Sequence, residues 1–315
     1  MSDTGTSPTV PLVRVTRAGV QDNLHCGTVV VVDDSGKVLL SFGDPDTLGY
    51  IRSAAKPIQA IPVLMSGAPE EFGFDDADIA IICGSHRGGD QQVTQVRSIL
   101  AKAGLTEQLL QSGAGIRDNC SGKHSGKLSA CKHLGYDLAS YLDPAHPHQQ
   151  KILATVAEVC GMEPGEIHVG IDGCGAPIHY IPVRNMALGY ARMSRPAEHF
   201  DDRTTAAVER IIRAMAANPG DHTGEPEYAD ALGEVRFISK SGGNGVYCAG
   251  VVGKGIGFAM KVADGSSQPL KPVFTEVMRR LGVLSDEEAA VFRDRFWQPV
   301  ENRRGTVVGE VELLI

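Results

Sequence analysis

Strand-like segments lie near both ends of this chain of 315 residues, and helix-like segments fill the stretch between them. At the front, "CGTVVVVDDSGKVLLSFGDP" contains two apolar, β-branched runs joined by Asp-Asp-Ser-Gly, which predicts a hairpin. Near the other end, "EVRFISKSGGNGVYCAGVVGKGIGFAMKV" is a three-part β region divided by glycines, and "GTVVGEVEL" closes with a strand. This order predicts one α/β fold in which both chain ends form a mixed sheet, with helices packed around it.

The middle of the chain is mainly helical by its apolar spacing. The run Ile79–Cys83 in "DIAIICGSH" is short and apolar and precedes a glycine, so we interpret it as a buried strand. "IHVGIDGCGAPIHYIPV" predicts a strand, a glycine loop and a further strand or helix start. We expect residues 1–10 to be a flexible tail and 11–315 to form one domain. Helices are predicted over about 90–104, up to Gly135, near 148–160, and over 203–217, 268–280 and 286–294.

Composition excludes several classes of protein. The chain is 42% apolar and 22% charged, as folded proteins are, and its net charge of −8 without a Lys/Arg cluster argues against a nucleic-acid partner. We find no run of eighteen apolar residues that would cross a membrane and no signal-peptide pattern. Seven cysteines in such a chain predict a cytoplasmic protein with reduced thiols instead of a disulfide framework.

The stretch "IRSAAKPIQA" places a serine three residues before a lysine. Pro57 lacks an N–H and is tolerated only in a first helical turn, so it fixes a helix start at about residue 52–54. Ser53 and Lys56 would then share a face, where the helix N-terminus favours an ionised serine and a neutral amine. That arrangement activates a serine without a histidine. The ordinary alternative is a serine cap followed by a solvated lysine, and S-x-x-K is common by chance.

Two further signals follow in chain order. Ser85 lies in "CGSHRGG", and Lys240 opens Lys-Ser-Gly on a predicted strand. Serine β-lactamases and penicillin-binding enzymes have the same three motifs in this order along the chain: S-x-x-K, a loop with a second serine, and K-[ST]-G. Two serines and two lysines in one pocket can share protons, which predicts an acyl-transfer site. Alternatively, Ser85 is a turn residue and Lys240 a solvated strand end.

Two glycine-rich loops carry cysteines. "DNCSGKHSGK" contains Cys120, Lys123 and His124, and "GIDGCGAP" contains Cys174. Cys-x-x-Cys spacing suits zinc, but here the second position is a lysine, which binds zinc only as a neutral amine. By spacing alone these are two buried cysteines. The "SGK" lacks the full P-loop pattern, so nucleotide binding is a weak hypothesis.

Taken together, several phrases resemble the asparaginase II family, the class 3 or rhizobial-type L-asparaginases. They are "HCGTVVVVDDSGKVLLSFGDP", "RSAAKPIQAI", "CGSH", "NCSGKH" and "DGCGAP", and the resemblance runs from about residue 12 to 262. It implies a fold like that of serine β-lactamases and glutaminases, and hydrolysis of L-asparagine to L-aspartate and ammonia. It also implies a homodimer.

The resemblance further implies roles for individual residues. Ser53, the nucleophile, and Lys56 would form one catalytic pair, and Ser85 with Lys240 the second. The family's zinc ligands match three positions, with a water completing the coordination: Cys120, Lys123 and Cys174.

A small zwitterionic substrate needs opposed charges in fixed places. The nearest candidates for holding its α-carboxylate and α-amine are Arg52, His124 and Asp172. The chain departs from the family's usual K-x-G-A-E-G-V, because Gly243 and Asn244 stand in place of alanine and glutamate. Two rivals to an L-asparaginase are a penicillin-recognising hydrolase and a catalytically inactive amino-acid sensor. The missing export signal argues against the first, and the retained serines and lysines against the second.

Overall fold

The computed structural model describes residues 8–218, 232 and 234–315. Most of the expected N-terminal tail, residues 1–7, lies outside this range, and Val10 already begins a strand. The strands are β1 (Val10–Arg17), β2 (Val20–Asp33), β3 (Val38–Phe42), β4 (Leu48–Tyr50), β5 (His168–Ile171), β6 (Pro177–Pro182), β7 (Phe237–Gly242), β8 (Val246–Val251), β9 (Ile256–Val262), β10 (Val300–Glu301), β11 (Val307–Gly309) and β12 (Val311–Leu313).

Helices fill the sequence between the N-terminal and C-terminal strands. A 3-10 helix, Arg52–Ala55, leads directly into the first of them. The α-helices in the described part of the chain are α1 (Lys56–Met65), α2 (Ala68–Glu71), α3 (Asp76–Cys83), α4 (Asp90–Lys102), α5 (Ser121–His133), α6 (Pro147–Cys160), α7 (Val183–Ser194), α8 (Asp202–Ala217), α9 (Leu270–Arg280) and α10 (Asp286–Phe296). None of them is long and apolar enough to cross a membrane.

Both chain ends contribute to one seven-stranded sheet, which confirms the predicted architecture. The strand order is β12-β1-β2-β9-β8-β7, with β3 paired to β2, and each of these pairings is antiparallel. The predicted hairpin is the β2–β3 pair. A separate three-stranded sheet has the order β4-β6-β5, and β10 pairs with β11.

The large sheet lies between two hydrophobic cores. Side chains alternate between the faces of a strand, so Val30 and Val32 of β2 pack in the larger core while Val29 and Val31 pack in the smaller one. The larger core lies under α7 and the other central helices. Helix α7 packs directly on β9 because Gly257 has no side chain; a Cβ there would overlap the carbonyl oxygen of Ala187.

The predicted helices are confirmed, but the predicted strand Ile79–Cys83 is wrong, because this run forms most of α3. Asp75 caps the helix: its carboxylate accepts from Asp78 N at 2.9 Å, and the Asp78 carboxylate accepts from Asp75 N at 3.0 Å. Residues 79–83 are buried on all sides, so they show no helical period. The capping pair Asp75 and Asp78 was the sequence signal that indicated a helix instead of a strand.

Candidate active site

The amine of Lys56 lies at the centre of the site. Lys56 begins α1, is only 1% exposed, and its Nζ donates to Gly84 O at 2.6 Å, to Ser85 Oγ at 2.9 Å and to Asn119 O at 3.0 Å. It therefore joins α1 to the loop after α3 and to the segment before α5. Burial lowers the pKa of Lys56 to about 8; the Cys120 thiol opposes this shift, and the charges of two further lysines, Lys123 and Lys240, reinforce it.

The predicted contact between Ser53 and Lys56 is not formed. In the described part of the chain, Ser85 is the serine that bonds to Lys56, and no hydrogen bond joins Lys56 to Ser53. A lysine ammonium has three N–H donors, and two carbonyl oxygens and the Ser85 hydroxyl occupy all three. Ser53 remains half-buried on the 3-10 helix that precedes α1.

The predicted pairing of Ser85 with Lys240 is not formed either, because Ser85 bonds to Lys56. Lys240 is 1% exposed on β7, and its Nζ donates to Ser241 O at 3.0 Å. Its charge still acts on Lys56, so both lysines belong to one region. The end of β7 packs against the 3-10 helix, since a Cβ at Gly242 would lie 2.8 Å from Ile51 O.

Opposed charges meet beside Ser53. Arg52 Nη2 lies 3.2 Å from Asp172 Oδ1, and Asp172 belongs to the loop between β5 and β6. Arg52 has a φ of 55°, a left-handed conformation that costs a residue with a Cβ on the order of 1–3 kcal/mol. A Cβ at Gly243 would lie 3.5 Å from Arg52 Nε, so the departure from the family pattern borders this guanidinium.

The three predicted metal ligands come together, although they lie on two separate segments. Lys123 Nζ donates to Cys174 Sγ at 3.2 Å, and Cys120, Lys123 and Cys174 are all buried. A hydrogen bond from Cys120 lowers the pKa of the Cys174 thiol and raises that of Cys120. Burial opposes protonation of Lys123, but the two sulfurs outweigh it and raise its pKa. The result is a buried thiolate–ammonium pair, and Lys123 must lose its proton before its nitrogen can bind a metal ion.

His124 lies with these thiols. Its Nδ1 is 2.7 Å from the Tyr141 hydroxyl, and its buried Nε2 has no hydrogen-bond partner among the described residues. Burial lowers the pKa of His124 to about 4, and the nearby Cys174 sulfur opposes the shift. Among the residues that the structure describes, no hydrogen bond joins His124 to Arg52 or Asp172. Its role toward substrate stays a prediction.

This donor set fits zinc. Two thiols and an amine converge, with an unpartnered imidazole nitrogen beside one thiol. Within residues 8–218, 232 and 234–315, no group of three or more His, Cys, Asp or Glu side chains is placed to hold a metal ion, so the zinc hypothesis depends on the Lys123 amine as the third ligand.

A family model for L-asparaginase II matches residues 13–313, almost the whole chain. The chain belongs to the L-asparaginase II family. The resemblance in the motifs is thereby confirmed. Three of the five motifs meet at the buried amine of Lys56, which bonds to Gly84 and Ser85 of "CGSH" and to Asn119 of "NCSGKH".

Three solved structures are distantly similar to this asparaginase II protein. The alignment with Mglu in its native form covers 82% of this chain and 64% of Mglu, at 13% identity and a TM-score of 0.47. For a β-lactamase (Mb2281c) from Mycobacterium bovis the coverages are 82% and 95%, at 13% identity and a TM-score of 0.47. For the probable glutaminase ybaS they are 81% and 85%, at 16% identity and 0.48. Likeness at this level carries no argument about activity. Among curated proteins, no match is found.

Sequence analysis missed one bridge in this asparaginase II site, between His86 and Ser121. Gly88 N donates to His86 Nδ1 at 3.0 Å, so His86 Nε2 carries the hydrogen and donates to Ser121 Oγ at 2.8 Å. Ser121 in turn donates to Ile116 O at 2.8 Å. The bridge fastens the loop of Ser85 to the start of α5, next to Cys120. The histidine of "CGSH" was the available signal, since a buried polar side chain needs a partner.

Proposed function

We propose that this asparaginase II protein hydrolyses L-asparagine to L-aspartate and ammonia through a serine and a lysine. The observation that carries the proposal is the buried Lys56 amine, bonded to Ser85 close to the opposed charges of Arg52 and Asp172. An amino-acid amide presents a carboxylate and an ammonium group, which such a charge pair complements. A lysine of lowered pKa next to a serine supplies base catalysis without histidine.

In the proposed mechanism Ser53 attacks the side-chain amide carbon. Ser53 follows Arg52 directly, so a substrate held by Arg52 presents its side chain near this hydroxyl. Lys56 takes the proton of Ser53, and the Lys56–Ser85 hydrogen bond provides a relay to the departing ammonia. Water then hydrolyses the aspartyl ester and restores Ser53. Backbone N–H groups around Ser53 and near Lys240 would stabilise the oxyanion.

A second arrangement has a specific observation in its favour. Ser85 Oγ is 2.9 Å from Lys56 Nζ, the geometry of a nucleophile and its base. In this version Ser85 attacks, and Ser53 binds substrate. The reaction is the same, and only the serine that carries the acyl group differs.

The proposed activity is tested by a coupled assay of ammonia release. We expect release from L-asparagine, with kcat/KM at least about tenfold above that for L-glutamine, since a mis-sized side chain places the amide away from the nucleophile. Nitrocefin is the matched β-lactam probe. Nitrocefin turnover without ammonia release would favour the penicillin-recognising hydrolase. Binding of L-asparagine without turnover would favour the sensor.

We propose that Cys120, Lys123 and Cys174 hold zinc, supported by their convergence in one buried group. When bound, the metal would keep the thiols and the amine deprotonated and connect the start of α5 to the loop before β6. The proposed chemical steps at Ser53, Lys56 and Ser85 do not pass through it.

Protein purified without chelator should contain about one zinc per chain by metal analysis. Cys174→Ser should lower that content at least about tenfold, because a hydroxyl is a poor zinc ligand. Cys131→Ser is the matched control, a buried thiol on α5 outside the ligand set, and should keep its metal. Wild-type protein without zinc would contradict the assignment of all three ligands.

The rate should rise with pH, because Lys56 acts as a base only when deprotonated. Its pKa is lowered to about 8, so the neutral fraction is small at pH 6 and grows until the pH passes this value. We therefore expect kcat/KM to increase about tenfold per pH unit below 8 and to level off above it. A profile with its maximum near pH 5 to 6 would indicate a carboxylate base and contradict the lysine assignment.

A further inference from the structure

A second buried polar group lies behind the site, on three different elements. Lys127 of α5 is completely buried, and His148 of α6 and His179 of β6 are each 1% exposed. In the part of the chain that the structure describes, Lys127 Nζ, His148 Nε2 and His179 Nδ1 have no hydrogen-bond partner. Three buried nitrogens without partners are unusual for a folded protein and require an explanation.

Lys127 influences both imidazoles electrostatically. Burial lowers the pKa of His148 to about 3 and that of His179 to about 4, and in both cases Lys127 is the next cause. Helix α5 packs against α6, and α1 packs against both. Two amide oxygens on these helices, Gln59 Oε1 of α1 and Gln149 Oε1 of α6, are also buried without a partner among the described residues.

Left dry, these atoms would remove a large part of the small net stability of a folded domain. Water is the ligand that fits them, since it both donates and accepts hydrogen bonds, and buried waters typically make about three. An anion would be repelled by the amide oxygens of Gln59 and Gln149. Burial also lowers the pKa of Lys127, His148 and His179, which disfavours their charged forms and so weakens the case for an anion.

The position of this group connects two regions. Lys127 lies four residues after Lys123 on α5, on the same face of the helix. On the other side, His148 lines a cavity of about 540 Å³ together with Met65 and Leu134. Lys56 begins α1 and Met65 ends it, so the cavity lies about 15 Å from the catalytic amine along this helix.

We propose that Lys127, His148 and His179 form an internal hydration site, in which ordered water bridges the three side chains between the candidate metal ligands and the cavity beside Met65. The site is independent of the substrate, so it stands or falls separately from the proposed asparaginase activity. Solvent reaches it from the cavity side, past His148.

A crystal structure of the zinc-loaded wild-type protein tests the occupant directly. We expect a water within about 3 Å of Lys127 Nζ that also bonds to His148 Nε2 or His179 Nδ1. A parallel crystal soaked in bromide should show no anomalous peak there. Absence of density between the three side chains, or bromide in place of water, would overturn the proposal.

Thermal unfolding provides a second test. Lys127→Met removes one partner of the water and leaves the water and both imidazoles less well bonded in a buried place, so Tm should fall by about 2–4 °C. The triple variant K127M/H148L/H179F removes all three polar groups together and should regain that loss. Lys132→Met, an exposed lysine on the same helix, is the control and should shift Tm by less than about 1 °C. A higher Tm for Lys127→Met alone would mean that the group is dry, and would overturn the proposal.

Discussion

Replacement of Ser53 by alanine should lower kcat for ammonia release from L-asparagine by about four to six orders of magnitude, because alanine has no oxygen with which to form the acyl bond. The Ser53 hydroxyl makes no hydrogen bond in the described residues, so the fold should be unaffected and Tm should change by less than about 1 °C. The loss of rate would then be chemical and not structural.

Ser66→Ala is the matched control, since Ser66 follows the last residue of α1, at the end of the helix away from Lys56, and its hydroxyl bonds only to the backbone of Val63 and Ala68. It should keep kcat within about twofold. A Ser53→Ala protein that retains more than about a hundredth of the wild-type kcat would remove Ser53 as the nucleophile. If Ser85→Ala is then the inactive variant, the 2.9 Å contact with Lys56 identifies Ser85 as the attacking group.

Replacement of Lys56 by methionine should lower kcat by about 10²–10⁴-fold, the usual contribution of a general base. It should also remove the rise of kcat/KM toward pH 8, because the group that titrates there is gone. Lys56→Arg should not restore the rate, since a guanidinium stays protonated at every accessible pH. The measurement is the pH profile of ammonia release for the wild type and both variants.

Stability must be measured beside this rate. Lys56→Met leaves Gly84 O, Ser85 Oγ and Asn119 O without their donor, at a cost of about 1–3 kcal/mol for each buried group left unpaired. Assays well below the Tm of the variant separate the two effects, and Lys132→Met, an exposed lysine on α5, is the matched control. Retention of the rise toward pH 8 by Lys56→Met would show that another group is the base.

Local sequence signals predicted which elements carry the functional residues, but not which groups their side chains contact. Pro57 predicted a helix start at about residue 52–54, where a 3-10 helix begins at Arg52, while α1 itself begins at Lys56. The partners of Lys56 are a loop after α3 and a carbonyl before α5, which only tertiary packing brings to its amine. Three residues of separation predicted a shared helix face for Ser53 and Lys56, but a buried lysine bonds to whichever acceptors surround its tip.

Complete burial also made some elements and contacts unpredictable from the sequence. Residues 79–83 are buried all round, so helix and strand give the same apolar run there, and only the Asp75–Asp78 cap distinguishes them. Lys127, His148 and His179 gave no signal, because charged residue types are expected at the surface. The structure of a single chain tests neither the predicted homodimer nor the predicted cytoplasmic location, and both stay predictions.

Peptide mapping by mass spectrometry of enzyme quenched in acid during turnover of L-asparagine tests the serine mechanism most directly. The account predicts an aspartyl ester on the peptide that contains Ser53, absent from Ser53→Ala, as expected when a covalent intermediate splits one difficult step into two. An ester on the peptide of Ser85 would transfer the nucleophile to that residue and keep Lys56 as its base. Steady release of ammonia with no ester on either serine would contradict the account.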